Sequence, residues 1–172
     1  MSRQIVRTLL ILAGVVPTHL ACALAQYTPA APRDVFWVAA GLGAGTEDFA
    51  GAAGVSYQHG VHLFSLRAAA SAGLFEDGFS DIAVLYGRAT RTARDRYRAG
   101  AAIGLAAVDG CVGGSVFSSC QNQRTVVGLP LEAQLAWLPA TFLGFGLYGF
   151  ADFNRTRSFA GVTLSVQLGR VR

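Results

Sequence analysis

Two of the three histidines lie near a serine, in the segment that contains His59, His62 and Ser65. A serine nucleophile needs a base within hydrogen-bond reach and a third group that orients the base. Successive side chains of an extended strand point to opposite faces, so His62 and Ser65 project from different faces. The segment therefore lacks the set that an enzyme acting on lipids would need, and we expect no catalytic residues.

A second candidate site combines Arg67 and Glu132. Alternation of side-chain types along their strands places these two charges most clearly on the inner face of a predicted barrel. Both lie at similar distances from predicted short turns, with Gln134 and Gln167 close by. We predict a barrel-interior polar cluster of these four residues around an Arg67–Glu132 ion pair. Losing one partner of such a pair costs about 3–5 kcal/mol, because the other charge stays buried without compensation. A gated ion path through the same interior is the alternative.

Cys111 and Cys120 lie close together in the segment 109–123. In an exported protein such a pair indicates a disulfide rather than a metal site, which would need further ligands. Closing a loop of about ten residues contributes roughly 2.5–3 kcal/mol in the chain-entropy model. The third cysteine, Cys22, offers a lipoprotein anchor as an alternative to the cleaved leader described next. No metal or cofactor is expected.

The N terminus predicts export. Arg3 and Arg7 precede a short apolar run, and residues 23–25 (Ala-Leu-Ala) provide a small-x-small cleavage site. The apolar run is too short to span about 30 Å of hydrocarbon as a helix. We therefore predict a cleaved signal peptide over residues 1–25 and a single domain over residues 26–172.

The composition is unusual for a soluble domain. Only 14% of the residues are charged and 52% are hydrophobic, with 21 glycines, whereas an ordinary soluble domain is about 25% charged. A lipid bilayer would cover the surface that so few charges leave apolar. The formal net charge is +4, and two of the arginines fall in the leader, so nucleic acid is not an expected partner. The arginines at 88, 91, 94, 96 and 98 predict a solvated turn near lipid headgroups.

Alternation of side-chain types defines the elements that position these residues. From Ala160 to Leu168 every second residue is aliphatic, and small or polar residues lie between them, which is typical of a strand with one apolar face. Eight such segments are predicted, at residues 35–45, 51–59, 61–75, 81–90, 96–108, 124–138, 142–152 and 158–170. Short connections at 59–60, 93–95 and 139–141 alternate with longer ones around Glu47, Asp77, Gly113 and Arg155. The fold class predicted is an all-β, eight-stranded antiparallel up-and-down transmembrane β-barrel.

The facing of the strands follows from residue size. Most glycines fall opposite the large apolar residues, which indicates a narrow interior filled by side chains. Five aromatic residues on the outer face lie at the short-turn end and predict an aromatic girdle at a membrane interface. These are Phe36, Tyr57, Tyr86, Tyr97 and Trp137. Pro130 lies inside a predicted strand, where it removes a ladder hydrogen bond, so a local bulge or kink is expected near Leu129 to Leu131.

The leader, the eight alternating segments and the loop asymmetry resemble small OmpA/OmpX-type outer-membrane barrels of Gram-negative bacteria. Segments 128–134 and 147–152 are similar to those of uncharacterised members of this group, and the resemblance covers residues 26–172. It implies a monomer in the outer membrane that is in contact with lipids. Such a protein would have a structural role or would recognise an extracellular ligand through the 109–123 loop. The sequence departs from the pattern at its end, Leu168-Gly169-Arg170-Val171-Arg172, where such barrels commonly carry an aromatic residue.

Two other architectures remain as alternatives. A soluble periplasmic calyx would turn the large apolar face inward and bind an apolar ligand there. A helical membrane protein would use residues 133–151, which are free of charge and long enough to span a bilayer.

Overall fold

The computed structural model describes residues 34–73, 78–92, 94–112, 121–122, 125–155 and 158–171, with only the backbone at 111, 112, 121 and 122. The predicted leader lies outside the described residues, as does the predicted disulfide of Cys111 and Cys120. The described part contains nine strands. They are β1 Asp34–Gly45, β2 Asp48–His59, β3 His62–Ala72, β4 Gly78–Arg91, β5 Tyr97–Val112, β6 Gln121–Asn122, β7 Val126–Trp137, β8 Leu143–Phe153 and β9 Phe159–Arg170.

The eight long strands form one closed antiparallel sheet. Each pairs with its neighbours in the chain, and β9 pairs with β1 from Phe36–Arg170 to Gly45–Gly161. Within the described part of the chain, the two-residue β6 pairs with the end of β5. The predicted eight-stranded up-and-down barrel is therefore confirmed. Among the described residues no helix is long and apolar enough to cross a membrane.

The register fixes how narrow the barrel is. Following paired residues once around the sheet from Val35 leads back to β1 at Gly45, ten residues further along. Such a stagger tilts the strands against the barrel axis, and with eight strands the interior is only wide enough for side chains. Glycines allow the strands to curve this tightly. A Cβ atom at Gly43 would lie 2.0 Å from the Val162 carbonyl oxygen, and one at Gly104 would lie 1.9 Å from that of Val84.

The last strand shows why the alternating sequence folds in this way. Thr163, Ser165 and Gln167 are buried in the interior, while Leu164 and Val166 between them are exposed on the outer face. The large apolar residues therefore point away from the barrel, as the sequence pattern predicts.

The first connection is shorter than predicted. β2 begins at Asp48, so only Thr46 and Glu47 link it to β1. Asp48 accommodates this tight turn with a φ of 76°, in the left-handed region that aspartate tolerates better than most residues. The prediction of a longer loop around Glu47 is therefore wrong, and the difference between the two ends of the barrel depends mainly on the segment between β5 and β7.

Pro130 interrupts the ladder without a bulge. Ile103 pairs with Leu131 and Ala106 with Gly128, in the same register on both sides of the proline, while no pairing joins β5 and β7 between these two points. A bulge would have shifted that register by one residue. Of the expected bulge or kink, the bulge is therefore wrong, whereas the ladder between β5 and β7 is locally interrupted at the proline. Opposite, Pro130 keeps its pairing with Asp152 of β8.

The helical alternative is also wrong. Residues 133–151 comprise the end of β7, a connection and most of β8, rather than one continuous span. Leu147 is exposed and Tyr148 is buried, which is the period of two that a strand requires.

Candidate functional site: the barrel interior

Arg67 forms the central ion pair of the interior. Its guanidinium donates to both carboxylate oxygens of Asp81, with Nε 3.3 Å from Oδ1, and Nη1 donates to the Leu131 carbonyl oxygen at 3.0 Å. Both charged side chains are almost wholly excluded from solvent, at 1% and 0% exposure. The guanidinium carbon also lies 5.5 Å from the centre of the Phe150 ring. The interior therefore contains a buried ion pair, but Asp81 is the partner that the sequence analysis missed.

Glu132 is satisfied by hydroxyl groups instead of by Arg67. Its Oε1 accepts a hydrogen bond from Ser65 Oγ at 2.7 Å, and its Oε2 accepts one from the Tyr148 hydroxyl. Ser65 Oγ also lies 3.2 Å from Ser56 Oγ. The predicted direct Arg67–Glu132 ion pair is therefore wrong. Ser65 and Tyr148 come from opposite sides of the barrel and hold the carboxylate between them.

Gln134 lies beside a small cavity. The cavity holds about 20 Å³ and is bounded by side chains that include Ser56, Glu132 and Ser165. Gln134 Nε2 is buried and has no hydrogen-bond partner among the described residues. A volume of this size accommodates about one water molecule. The interior is therefore filled by side chains at this level.

A second interior cluster lies at the short-turn end. Arg98 stacks on Trp37, with its guanidinium carbon 3.4 Å from the ring centre, and both side chains are fully buried. Its Nη1 donates to the Val171 carbonyl oxygen at 3.2 Å and its Nη2 to Gln167 Oε1. Gln167 therefore belongs with Arg98, and the predicted four-residue cluster is divided between two groups. Burial of Arg98 also corrects the prediction that this arginine lies on a solvated turn.

Residues 169–171 cover the short-turn opening of the barrel near Arg98. Gly169, with a φ of 138°, donates its N–H to the Phe142 carbonyl oxygen at 3.1 Å, and Val171 donates to that of Thr141 at 2.9 Å. The Val171 side chain is fully buried, as is that of Leu138. Val171 thus turns inward over the opening, beside Arg98.

Aromatic rings fill the opposite, loop-side end. Phe159 lies 6.4 Å from Phe79 and 6.1 Å from Phe150 between ring centres. Asp152, two residues after Phe150, is fully buried, and its Oδ1 accepts a hydrogen bond from Asn154 Nδ2 at 3.1 Å. Its Oδ2 has no partner in the part of the chain described here. The interior thus carries carboxylates beyond those that Arg67 neutralises.

The five residues of the predicted girdle all lie on the outer face. Their exposed fractions range from 39% to 52%. The register brings Phe36 beside Tyr57, and Tyr97 beside Trp137. Tyr86 accepts or donates a hydrogen bond of 2.7 Å with His62 Nδ1 and packs 5.2 Å from the Phe64 ring centre. His62 is therefore outside and Ser65 inside, so the sheet separates the two residues considered for catalysis.

Comparisons with known proteins agree with this architecture. No protein-family model and no curated protein matches the sequence. Neisserial surface protein A is structurally similar, with a TM-score of 0.60 at 10% identity over 81% of this chain and 99% of that chain. The N-terminal β-barrel domain of Pseudomonas aeruginosa OprF gives 0.57 at 11% identity over 81% and 99%. A de novo designed transmembrane β-barrel gives 0.53 at 10% identity over 83% and 99%. The chain therefore has the closed antiparallel β-barrel fold of the small outer-membrane barrels.

Proposed function

We propose that this chain is a small integral outer-membrane β-barrel protein with a filled interior. Its role is structural, or it recognises an extracellular ligand through the loops at the end opposite the girdle. The observation that carries the proposal is the reversed distribution of polarity. Leu42, Leu105, Val127 and Leu164 are each more than two-thirds exposed, while Arg67 and Glu132 are buried. Soluble monomers rarely expose contiguous apolar patches above a few hundred Å², whereas a bilayer requires such a surface.

The same distribution argues against the soluble calyx. A calyx that binds an apolar ligand needs an apolar interior of suitable volume. Here the middle of the interior contains an ion pair, a hydrogen-bonded carboxylate and several hydroxyl groups. The cavity beside Gln134, at about 20 Å³, is far below the roughly 300 Å³ of a small-molecule site.

The packing also argues against a conducting pore. An ion that crosses the barrel needs a continuous polar path, whereas Trp37 and Arg98 block the short-turn end and Phe159 lies with other rings toward the loop end. We therefore propose that the folded barrel does not conduct ions in this state. We also propose that it has no catalytic activity and functions as a monomer, with outer-membrane lipids as its main partner.

Heat-modifiable migration on a detergent gel tests the proposal. A membrane β-barrel stays folded in dodecyl sulfate until it is boiled, because its closed backbone ladder resists the detergent. We expect the unboiled protein to migrate faster than the boiled protein after refolding into phospholipid vesicles. Identical migration, together with a protein that remains in the supernatant when vesicles are sedimented, would support the soluble calyx instead.

A further inference from the structure

A groove on the outer face runs from the short-turn end of β4 toward the middle of β8. Paired residues define its floor, because Ala101 pairs with Ala133 and Ala133 with Gly149. Ile103 and Leu131, which form the next outward-facing pair toward the loop end, line its side. The groove has a volume of about 610 Å³. Its lining is mostly apolar, as contact with an acyl chain requires.

The positively charged side chain of Arg88 lies at the short-turn end, or mouth, of this groove. Arg88 lines the groove, is exposed, and pairs across the sheet with Ala101 of the floor. Tyr86, two residues away on the same strand, forms the adjoining wall. The Tyr86 ring is held in place by the hydrogen bond to His62 and by packing on Phe64. Arg88 and the Tyr86 ring thus line the same end of the groove, on the side of the aromatic girdle.

Charge complementarity identifies the occupant. The mouth is positive, and Glu132, although it borders the groove, directs its carboxylate into the interior toward Ser65 and Tyr148. Guanidinium groups bind phosphate oxygens by charge-assisted hydrogen bonds. We propose that the groove binds an anionic phospholipid, with one acyl chain along Ala101, Ala133 and Gly149 and the phosphate at Arg88. This inference rests on the proposed function, because only a barrel that spans a membrane presents this face to lipid.

A second groove provides an internal control. It is lined by residues of β1 to β4 and of β9, is larger at about 950 Å³, and is floored by Ala40, Ala53 and Ala68. Its lining, which belongs entirely to the described residues, includes Asp81 but no arginine, and the Asp81 carboxylate is paired with Arg67 in the interior. Acyl chains can enter this groove, but nothing at its mouth selects an anionic headgroup.

Native mass spectrometry of the folded barrel with phosphatidylglycerol and phosphatidylcholine tests the proposal. Arg88→Gln should weaken retention of the first phosphatidylglycerol about tenfold, the low end of the effect of losing a hydrogen bond between charged groups. Arg94→Gln removes the same charge from an exposed turn residue and should leave retention unchanged. Ala133→Leu, which fills the floor, should reduce retention, whereas Ala53→Leu in the control groove should not.

Three results would overturn the proposal. Equal losses in Arg88→Gln and Arg94→Gln would mean attraction by overall charge alone. Full retention in Ala133→Leu would mean that no chain lies in the groove. A dimer of the wild-type chain that is abolished by Ala133→Leu would mean that a second copy covers this face. Heat-modifiable migration of every variant is measured in parallel, so that failure to form a membrane barrel is distinguished from failure of the groove.

Discussion

Replacing Asp81 with alanine would leave the Arg67 guanidinium in the interior without its carboxylate. The two side chains are 1% and 0% exposed, so bulk water cannot compensate either charge. The Leu131 carbonyl oxygen would remain as an acceptor for Nη1. Breaking a buried pair on one side costs about 3–5 kcal/mol, and we expect this loss of unfolding free energy for Asp81→Ala.

The partner of Arg67 can be identified by double-mutant cycles. Arg67→Met keeps most of the side-chain volume, and the Asp81→Ala, Arg67→Met double variant leaves no unpaired charge at this site. We expect the double variant to recover part of the loss, with a coupling between Arg67 and Asp81 of about 2–3 kcal/mol, the upper part of the range for residues in contact. Coupling between Arg67 and Glu132, measured with Glu132→Ala, should be below about 1 kcal/mol, since these two side chains share no direct bond.

The assay is equilibrium urea unfolding in phospholipid vesicles, followed by tryptophan fluorescence. Glu132→Ala alone serves as the matched control, because it removes a buried carboxylate that hydroxyl groups hold. An Arg67–Glu132 coupling equal to or larger than the Arg67–Asp81 coupling would refute the assignment of the ion pair. An Asp81→Ala variant as stable as the wild type would refute the burial of the Arg67–Asp81 ion pair.

Three further predictions concern the rest of the barrel. Tyr148→Phe should lower the unfolding free energy by about 1–3 kcal/mol in the same urea assay, because Glu132 loses a buried donor; unchanged stability would contradict that bond. Arg98→Ala should shift the emission of Trp37, which is fully buried under the guanidinium, whereas Arg94→Ala on the exposed turn should not. Gly104→Val should prevent heat-modifiable folding, because its Cβ would lie 1.9 Å from a carbonyl oxygen. In contrast, Gly149→Ala should change stability by less than about 0.5 kcal/mol, because the nearest described atom to its Cβ lies 3.9 Å away.

Alternation was sufficient to predict which face of each strand lies inside. It correctly directed Arg67, Glu132, Gln134 and Gln167 to the interior, where all four are buried. The same rule extends to two residues that the sequence analysis did not use. Asp81 alternates with the outward Ile82, and Arg98 follows the outward Tyr97. The alternation therefore predicts that Asp81 and Arg98 both point inward. Arg98 was instead assigned to a solvated turn because it lies close in sequence to other charged residues.

The contacts across the barrel could not be predicted in the same way. Glu132 on β7 meets Ser65 on β3, and these strands are not paired with each other. Their relative height depends on the ten-residue stagger, which accumulates over every strand pair and cannot be read from any one of them. The unshifted register at Pro130 and the short first turn also depend on pairing across the whole sheet.

Quenching of tryptophan fluorescence by brominated phospholipids tests the central claim most directly. The two tryptophans provide the contrast, because Trp137 is 49% exposed on the outer face and Trp37 is fully enclosed. In vesicles of brominated phosphatidylcholine we predict that Trp37→Phe leaves only quenchable emission, and that Trp137→Phe leaves only emission that the lipid does not quench. Quenching of Trp37 with protection of Trp137, or no quenching of either, would contradict a barrel that presents its apolar face to the membrane.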